Sequence, residues 1–407
     1  MRNILFLIFF CFLMSCKSEK NQLNRIKEDV TFLASDDLEG RQTGTQGEKK
    51  AAKYITNRFK ELGLQAKGTK DYLQPFTFKP KTNPHDEVKF DVNGDGTITG
   101  NNVLGFLDNK AENTIIIGAH YDHLGFGGEG SLYRDSIKAI HNGADDNASG
   151  IAVLLNLAAK LKDKNTNNNY LFMAFSGEEM GLLGSNYFVK NPTIDTKKVS
   201  YMINMDMVGR MKKDSSLAVY GTGTSPIFKQ TLKSHNNNFK LIQQESGVGP
   251  SDHTSFYLAD IPVLHFFTGQ HEDYHKPGDD SEKLNYNGME LISDYIFNII
   301  SDLDNNGKIA FRKTKNESES TPRFKVGMGV IPDYLFDGKG MRIDGISEEK
   351  PAHKAGLKKG DIVIKLGDSL VTNMMSYMRA LSVFEKGNTA KVVVKRGKKE
   401  IEKEINF

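Results

Sequence analysis

Between residues 114 and 303 the chain alternates short, mostly apolar runs with stretches whose apolar residues recur at helical spacing. The runs 114–118, 170–175, 201–205, 217–220 and 262–267 read as strands. Residues 149–161, 180–189 and 285–303 read as helices, the first with Ile151, Leu154, Leu155 and Ala158 on one face. This alternation predicts an α/β fold, a mixed and mostly parallel central sheet with helices on both faces. Ahead of it, 26–64 is helical in pattern, with Ala51, Ala52, Tyr54, Ile55, Phe59 and Leu62 in register and Gly63 as a stop. Two β-like stretches, 74–78 and 87–92, follow.

Acids and imidazoles fall just after the predicted strands, where open α/β sheets place their ligand sites. His120 and Asp122 follow the first run, and Glu178 and Glu179 follow the second. Asp206 follows the third, Asp145 and Asp146 lie in the Gly-bounded loop 142–150, and His275 sits in 273–279. Each piece alone has a plain explanation. A lone His is usually a hydrogen-bonded residue, a Glu pair at a helix start complements the dipole, and Asp-Asp-Asn is turn chemistry. The specificity lies in the whole set at successive strand ends. Imidazole nitrogen mixed with carboxylate oxygen suits a pair of zinc ions, which a bridging carboxylate holds roughly 3.5–4 Å apart. A further carboxylate is then needed to take a proton from the attacking water.

From Ile26 to Ala310 these segments, together with the stretch 33–41 (LASDDLEGR), resemble the co-catalytic zinc aminopeptidases. The same superfamily holds glutamate carboxypeptidases and glutaminyl cyclases. The resemblance implies the zinc exopeptidase fold and two zinc ions. His120 and Asp206 would be terminal ligands of one zinc, Glu179 and His275 would hold the other, and Asp146 would bridge. It also makes Glu178 the general base, Asp122 the residue that orients His120, and Tyr274 a stabiliser of the oxyanion. A cis Asp146–Asn147 peptide is expected. The substrates implied are peptides with a free terminus. Ser251, Asp252 and His253 resemble a family loop beside the substrate pocket. His123 and His141 flank the Gly-rich insert 125–142, which reads as a mobile rim loop rather than as further ligands. Residues 91–96 and 302–307 begin like calcium loops, but their twelfth positions are Asn102 and Lys313, so turns are the better reading.

Residues 311–323 shift to Lys, Asn, Glu, Ser, Thr and Pro and read as a linker between a domain at 25–310 and another at 324–407. The latter resembles a small, mainly-β, bacterial-type PDZ domain through 326–330, 346–352 and the segment AGLKKGDIV at 355–363. Gly327, Met328, Gly329 and Val330 match its carboxylate-binding loop. The resemblance implies either capture of a peptide C-terminus as an added strand or a module that shields the first domain.

The N-terminus runs from Met1-Arg2-Asn3 into the apolar stretch 4–14, too short for a membrane span but suited to a signal core. Leu13-Met14-Ser15-Cys16 resembles a bacterial lipobox, which predicts a signal at 1–16, a lipid on Cys16, a tether at 17–24 and membrane attachment. The protein would then be an exported lipoprotein of the periplasm or outer membrane. Its only cysteines are Cys11 and Cys16, so the mature chain has no internal disulfide. A net charge of +3 on 407 residues supplies no electrostatic case for nucleic acid.

Four functions compete. An aminopeptidase fits all five ligand types, whereas cyclases of this fold typically keep fewer ligands and one zinc. Carboxypeptidase specificity depends on pocket residues the sequence does not place. A retired scaffold would have no reason to keep Glu178.

Overall fold

The computed structural model describes residues 22–79, 97–315 apart from 129 and 163, and 325–407 apart from 334, 337 and 348. The expected signal, Cys16 and its lipid, the β-like stretch 87–92 and the calcium-like 91–96 lie outside these residues. Helix α1 (22–33) is already formed inside the stretch expected to be a tether. Among the described residues no helix is long and apolar enough to cross a membrane.

Helix α2 (Gln46–Glu61) precedes the strands β1 (Gln65–Ala66), β2 (Leu73–Phe78) and β3 (Ile98–Leu107). There follow β4 (Asn113–His120), α3 (Gly150–Leu161), β5 (Asn168–Phe175), α4 (Leu183–Lys190) and β6 (Val199–Met205). Next come β7 (Ser216–Tyr220), α5 (Phe228–Ser234), β8 (Lys240–Gln243), α6 (His253–Tyr257), β9 (Val263–Phe267) and α7 (Tyr286–Leu303). The nine strands form one sheet in the order β1-β3-β5-β4-β6-β9-β7-β8, with β2 beside β3. Its centre, β5-β4-β6-β9, is parallel, and β3 and β7 join it antiparallel. Both faces of that centre are buried, which is why its strands read as near-continuous apolar runs. Ile115, Ile117, Tyr201 and Ile203 pack with α2, α3 and α7 on one face. Ile116, Leu171, Met173 and Met202 pack with Phe188 of α4 and Phe256 of α6 on the other.

Two elements begin later than their periodicity predicts. Helix α4 starts at Leu183 rather than 180, because residues 178–182 form a turn in which Gly181 and Leu182 donate to the Glu178 carbonyl. Helix α3 starts at Gly150, after an irregular turn over Ala144–Ser149.

The smaller domain holds β10 (Val330–Pro332), β11 (Met341–Ile346), α8 (Pro351–Lys354), β12 (Ile362–Leu366), β13 (Ser369–Leu370), α9 (Met374–Ser382), β14 (Thr389–Arg396) and β15 (Lys399–Asn406). Its sheet runs β10-β11-β12-β14-β15 around a core that includes Met328, Ile343, Val363, Val392 and Val394. Residues 311–315, expected to begin a linker, instead lie along the larger domain. Arg312 N donates to Thr224 O at 2.7 Å, and Thr314 N donates to the Tyr257 hydroxyl at 2.9 Å.

Candidate metal centre

The C-terminal ends of β4, β5, β6 and β9 open onto one cleft of about 400 Å³. Asp146, Glu178, Glu179, Asp206, Tyr274 and His275 all line it. Asp146 is the hub. Its Oδ1 lies 3.3 Å from His120 Nε2, and its Oδ2 lies 3.2 Å from His275 Nε2. Around the first oxygen, His120 Nε2 also stands 3.3 Å from Asp206 Oδ1. Around the second, His275 Nε2 stands 3.3 Å from Glu179 Oε2. One carboxylate is thus shared between two imidazole–carboxylate groups.

The loop that presents Asp146 is stitched to its surroundings. Asp279 Oδ2 accepts the amides of Asp145 and Asp146, each at 3.0 Å. Asn147 donates to Met205 O and accepts from the amides of Gly150 and Met207. The Asp146–Asn147 peptide is cis, as expected. At Gly143, with φ +56°, an added Cβ would stand 2.1 Å from Asp146 O, so only glycine fits the loop's entry. The buried Arg41 braces the same turn. Its guanidinium donates to the carbonyls of Tyr121 (2.8 Å), Asn142 (2.6 Å), Gly143 (3.0 Å) and Leu33 (2.5 Å). The LASDDLEGR stretch therefore supplies a strut beneath the cleft. A second strut is the buried Glu48, which accepts from Tyr121 Oη, Ser176 Oγ and the amides of Gly44 and Asn101. No motif announces Glu48, which sits in an amphipathic helix among surface charges.

The imidazoles are oriented from behind. His275 Nδ1 contacts Gly130 O at 2.8 Å, which turns Nε2 toward the carboxylates. His120 Nδ1 is 3.2 Å from the backbone carbonyl of Asp122 and 3.7 Å from its carboxylate. The Asp122 carboxylate instead accepts from Thr43 Oγ1 and the Glu178 amide. The insert read as a mobile rim contributes to the centre, since Gly130 and Leu132 both bond to His275. His141 is buried against Ser131 Oγ at 2.8 Å. His123 is buried too, and its Nδ1 meets Glu179 Oε1 at 2.7 Å, so this residue belongs to the centre the sequence reading left it out of. It lies one position past Asp122, out of step with the two-residue spacing of His120 and Asp122, so its sequence position carries no signal of this role.

Ser251, Asp252 and His253 lie beneath the cleft's wall. Ser251 Oγ accepts from Asn204 Nδ2 at 2.8 Å, and the His253 ring stacks at 4.4 Å on His265, a cleft residue. Asp252 is fully buried. Burial is the main force that raises it to about 7; the His120 charge opposes, and Asp122 and Asp206 add to the rise.

Asp146, Glu178, Glu179 and Asp206 line this volume, with Asp122 and Asp252 buried behind it, so its electrostatics favour cations. Burial drives Glu178 well above the usual carboxylate range; His120 opposes this, while Asp206, Glu179 and Asp252 add to it. Burial acts to lower His275, yet Glu179 and Asp146 outweigh it and hold the imidazole up at about 11. Ligating atoms of His120, Glu178 and Asp206 come within 4.8 Å of one another, as do those of His123, Asp146 and Glu179. Nitrogen and carboxylate oxygen at this density fit divalent zinc-like metals.

In the smaller domain, Met328 is buried, Gly329 O accepts from Ser347 N, and Gly329 has φ +75°. The loop of Gly327, Met328, Gly329 and Val330 leads into β10, an edge strand paired only with β11 among the described residues.

Residues 102–300 match the model of peptidase family M28, and residues 309–407 match that of the PDZ domain. The chain is 32% identical over 173 residues to the "Probable leucine aminopeptidase" of Trichophyton verrucosum, covering 40% of this chain and 44% of that one. It spans about half the length of the curated relatives it matches. A zinc aminopeptidase from Bacillus subtilis superposes with a TM-score of 0.52 at 18% identity, covering 71% of this chain and 98% of the other. A glutaminyl cyclase from Porphyromonas gingivalis superposes with a TM-score of 0.54 at 18% identity, covering 69% and 98%. Both likenesses are of fold.

Proposed function

We propose that this chain, a peptidase family M28 domain joined to a PDZ domain, is a zinc-dependent aminopeptidase that hydrolyses the first peptide bond of substrates with a free N-terminus. The observation that carries this reading is the Asp146 carboxylate divided between His120 and His275, with Glu178 beside it in the cleft. His120, Asp146 and Asp206 would hold one zinc, and Asp146, Glu179 and His275 a second. The chemistry supplied there, once metal is bound, is polarisation of the scissile carbonyl and acidification of a water. The residues supply the rest. Glu178 accepts a proton from the attacking water and returns it to the leaving amine. Its own burial, and then the neighbouring carboxylates of Asp206, Glu179 and Asp252, raise its affinity for that proton. Tyr274 keeps its proton, because burial and then the Asp146 and Glu179 carboxylates hold the phenol well above its usual range. It is therefore a hydrogen-bond donor toward the oxygen that gains charge. The acidic cleft also suits a free α-amine. Two complete imidazole–carboxylate groups favour hydrolysis over cyclisation, which the cyclase neighbour performs on this fold.

By the same reading the protein is exported and tethered to the cell envelope through a lipid on Cys16, and β10 offers its edge to a peptide C-terminus.

The test is hydrolysis of aminoacyl and N-blocked peptide substrates by the soluble protein, with and without a chelator. Chelator-sensitive release from free N-termini alone is expected. Release of C-terminal residues from N-blocked peptides would make it a carboxypeptidase. Cyclisation of N-terminal glutamine without hydrolysis would make it a cyclase.

A further inference from the structure

We propose that the smaller domain completes the substrate pocket of the larger one. Leu335, on the loop after β10, sets the positions of Tyr220 and Phe267, and through them the apolar side chain that the cleft accepts. This rests on the aminopeptidase reading for its substrate and on geometry for its mechanism.

Strands β7, β8 and β9 carry the wall. Ala218 is in register with Ile242 on one side and Phe267 on the other, and Tyr220 is in register with His265. Residues two apart share a face, so these five side chains project together. The alternate residues, Leu217, Val219, Leu264 and Phe266, belong to the main core. Tyr220, His265 and Phe267 reach the cleft, whose lining they share with Glu178 and Glu179. The back of this wall is closed by the other domain. Leu335 is 4% exposed and packs with Ala218 and Ile242, and Tyr220 and Phe267 lie against that cluster. Leu335 also rests on the backbone just after β9. A Cβ added to Gly269, with φ +96°, would stand 2.7 Å from Leu335 Cδ1, so glycine is what lets the leucine seat.

The leucine is held as a rigid plug. Asp333 Oδ1 accepts the Leu335 amide at 3.0 Å, and Asp333 Oδ2 accepts Arg342 Nε at 2.7 Å. The Arg342 guanidinium in turn lies 4.7 Å from the Phe336 ring centroid. Lys212 of the larger domain donates to Asp344 at 3.1 Å and stands 3.8 Å from Asp333, which fixes the loop laterally. Removing a plug behind aromatic walls lets them retreat, so the pocket loses its grip on an apolar side chain without disturbing the reacting groups. Leu335 is thus a positioning residue for specificity.

The experiment compares the full chain with Leu335→Ala and Leu335→Met. Leu335→Ala is expected to raise KM for leucyl and phenylalanyl substrates about tenfold relative to alanyl ones. Its kcat and zinc content should stay within about twofold, and Leu335→Met should restore the preference. The contact itself is read without activity. The chain has no Trp, so Tyr220→Trp supplies a single tryptophan, whose selectively excited emission should move to longer wavelength when Leu335→Ala is added. An unchanged substrate profile together with unchanged emission overturns the proposal. If the unaltered protein hydrolyses nothing, the aminopeptidase reading fails, and the emission alone decides whether the smaller domain shapes this wall.

Discussion

At the scale of the residue, the cleft separates groups that hold charge from groups that move it. Glu178 lies among carboxylates yet belongs to neither end of the Asp146 bridge, and the proposed chemistry asks it to cycle a proton. Replacing it with Gln keeps its volume and removes the base. Turnover should fall by roughly 10²–10⁴-fold, while zinc measured by mass spectrometry stays unchanged; near-normal turnover would remove Glu178 from that role. Arg41 acts at a distance from the chemistry. Arg41→Lys leaves several of its four backbone carbonyl partners unpaired, since one ammonium cannot span the planar fork. Urea unfolding should show a loss of about 3 kcal/mol, and a loss below 1 kcal/mol would mean that water replaces the strut. The ligand types were legible in sequence because metals demand particular atoms after particular strands. His123 and Glu48 were not. Their importance comes from burial and from partners far along the chain, Glu179 for one and Ser176 for the other.

At the scale of the element, the central strands read clearly because burial on both faces leaves them mostly apolar, with the few polar residues, such as Asn168, Asn204 and His265, buried too. Less legible were β3, which mixes Asn101 and Asn102 into its run, and the short α5, β8 and α6, whose periods are too brief to register. Asn102 sits inside that sheet because its amide donates to Gln74 and Gly184 and accepts from Ser176. Helix α7 was legible to within a residue because its start is written in a side chain. Asn285 Oδ1 accepts the Gly288 amide at 2.9 Å, the usual N-cap bond. Asn285→Ala should therefore lower stability by about 1 kcal/mol, seen as a lower melting temperature with activity retained at 25 °C. In the smaller domain, Asp361 closes the turn into β12 by accepting the Lys358 amide and two bonds from Arg396, at 2.7 and 2.8 Å. Burial works to raise this carboxyl, but Arg396 and the Lys358 amide outweigh it and hold it below its usual range. Its stabilising effect is therefore present above the unfolded carboxyl value, near about 4, and is lost as pH falls through the lower folded value. Asp361→Asn should destabilise the protein at pH 7, and its difference from the unaltered chain should close as the solution is acidified. A constant difference down to pH 2 would assign the effect to the hydrogen bonds alone.

At the scale of the whole molecule, a cluster of buried carboxylates opposes folding unless cations join it. Ligands that bind the folded state alone stabilise it by mass action. Chelation should therefore lower the melting temperature, and added zinc should restore it; a chelator-insensitive melt would separate the metal from the fold. The division into two domains was legible in composition, but the docking between them was not. Residues 311–315 have a linker's composition yet lie bonded to Thr224 and Tyr257, and nothing in the sequence pairs Leu335 with Ala218 and Ile242. That last contact also alters how such a protein can diverge. A pocket enclosed by its own domain changes preference only through substitutions close to its reacting groups, where most changes are harmful. Here one part of the wall is inherited with a different module. Lineages can retune diet through a surface loop, or by exchanging the whole module, while the catalytic lineage stays untouched.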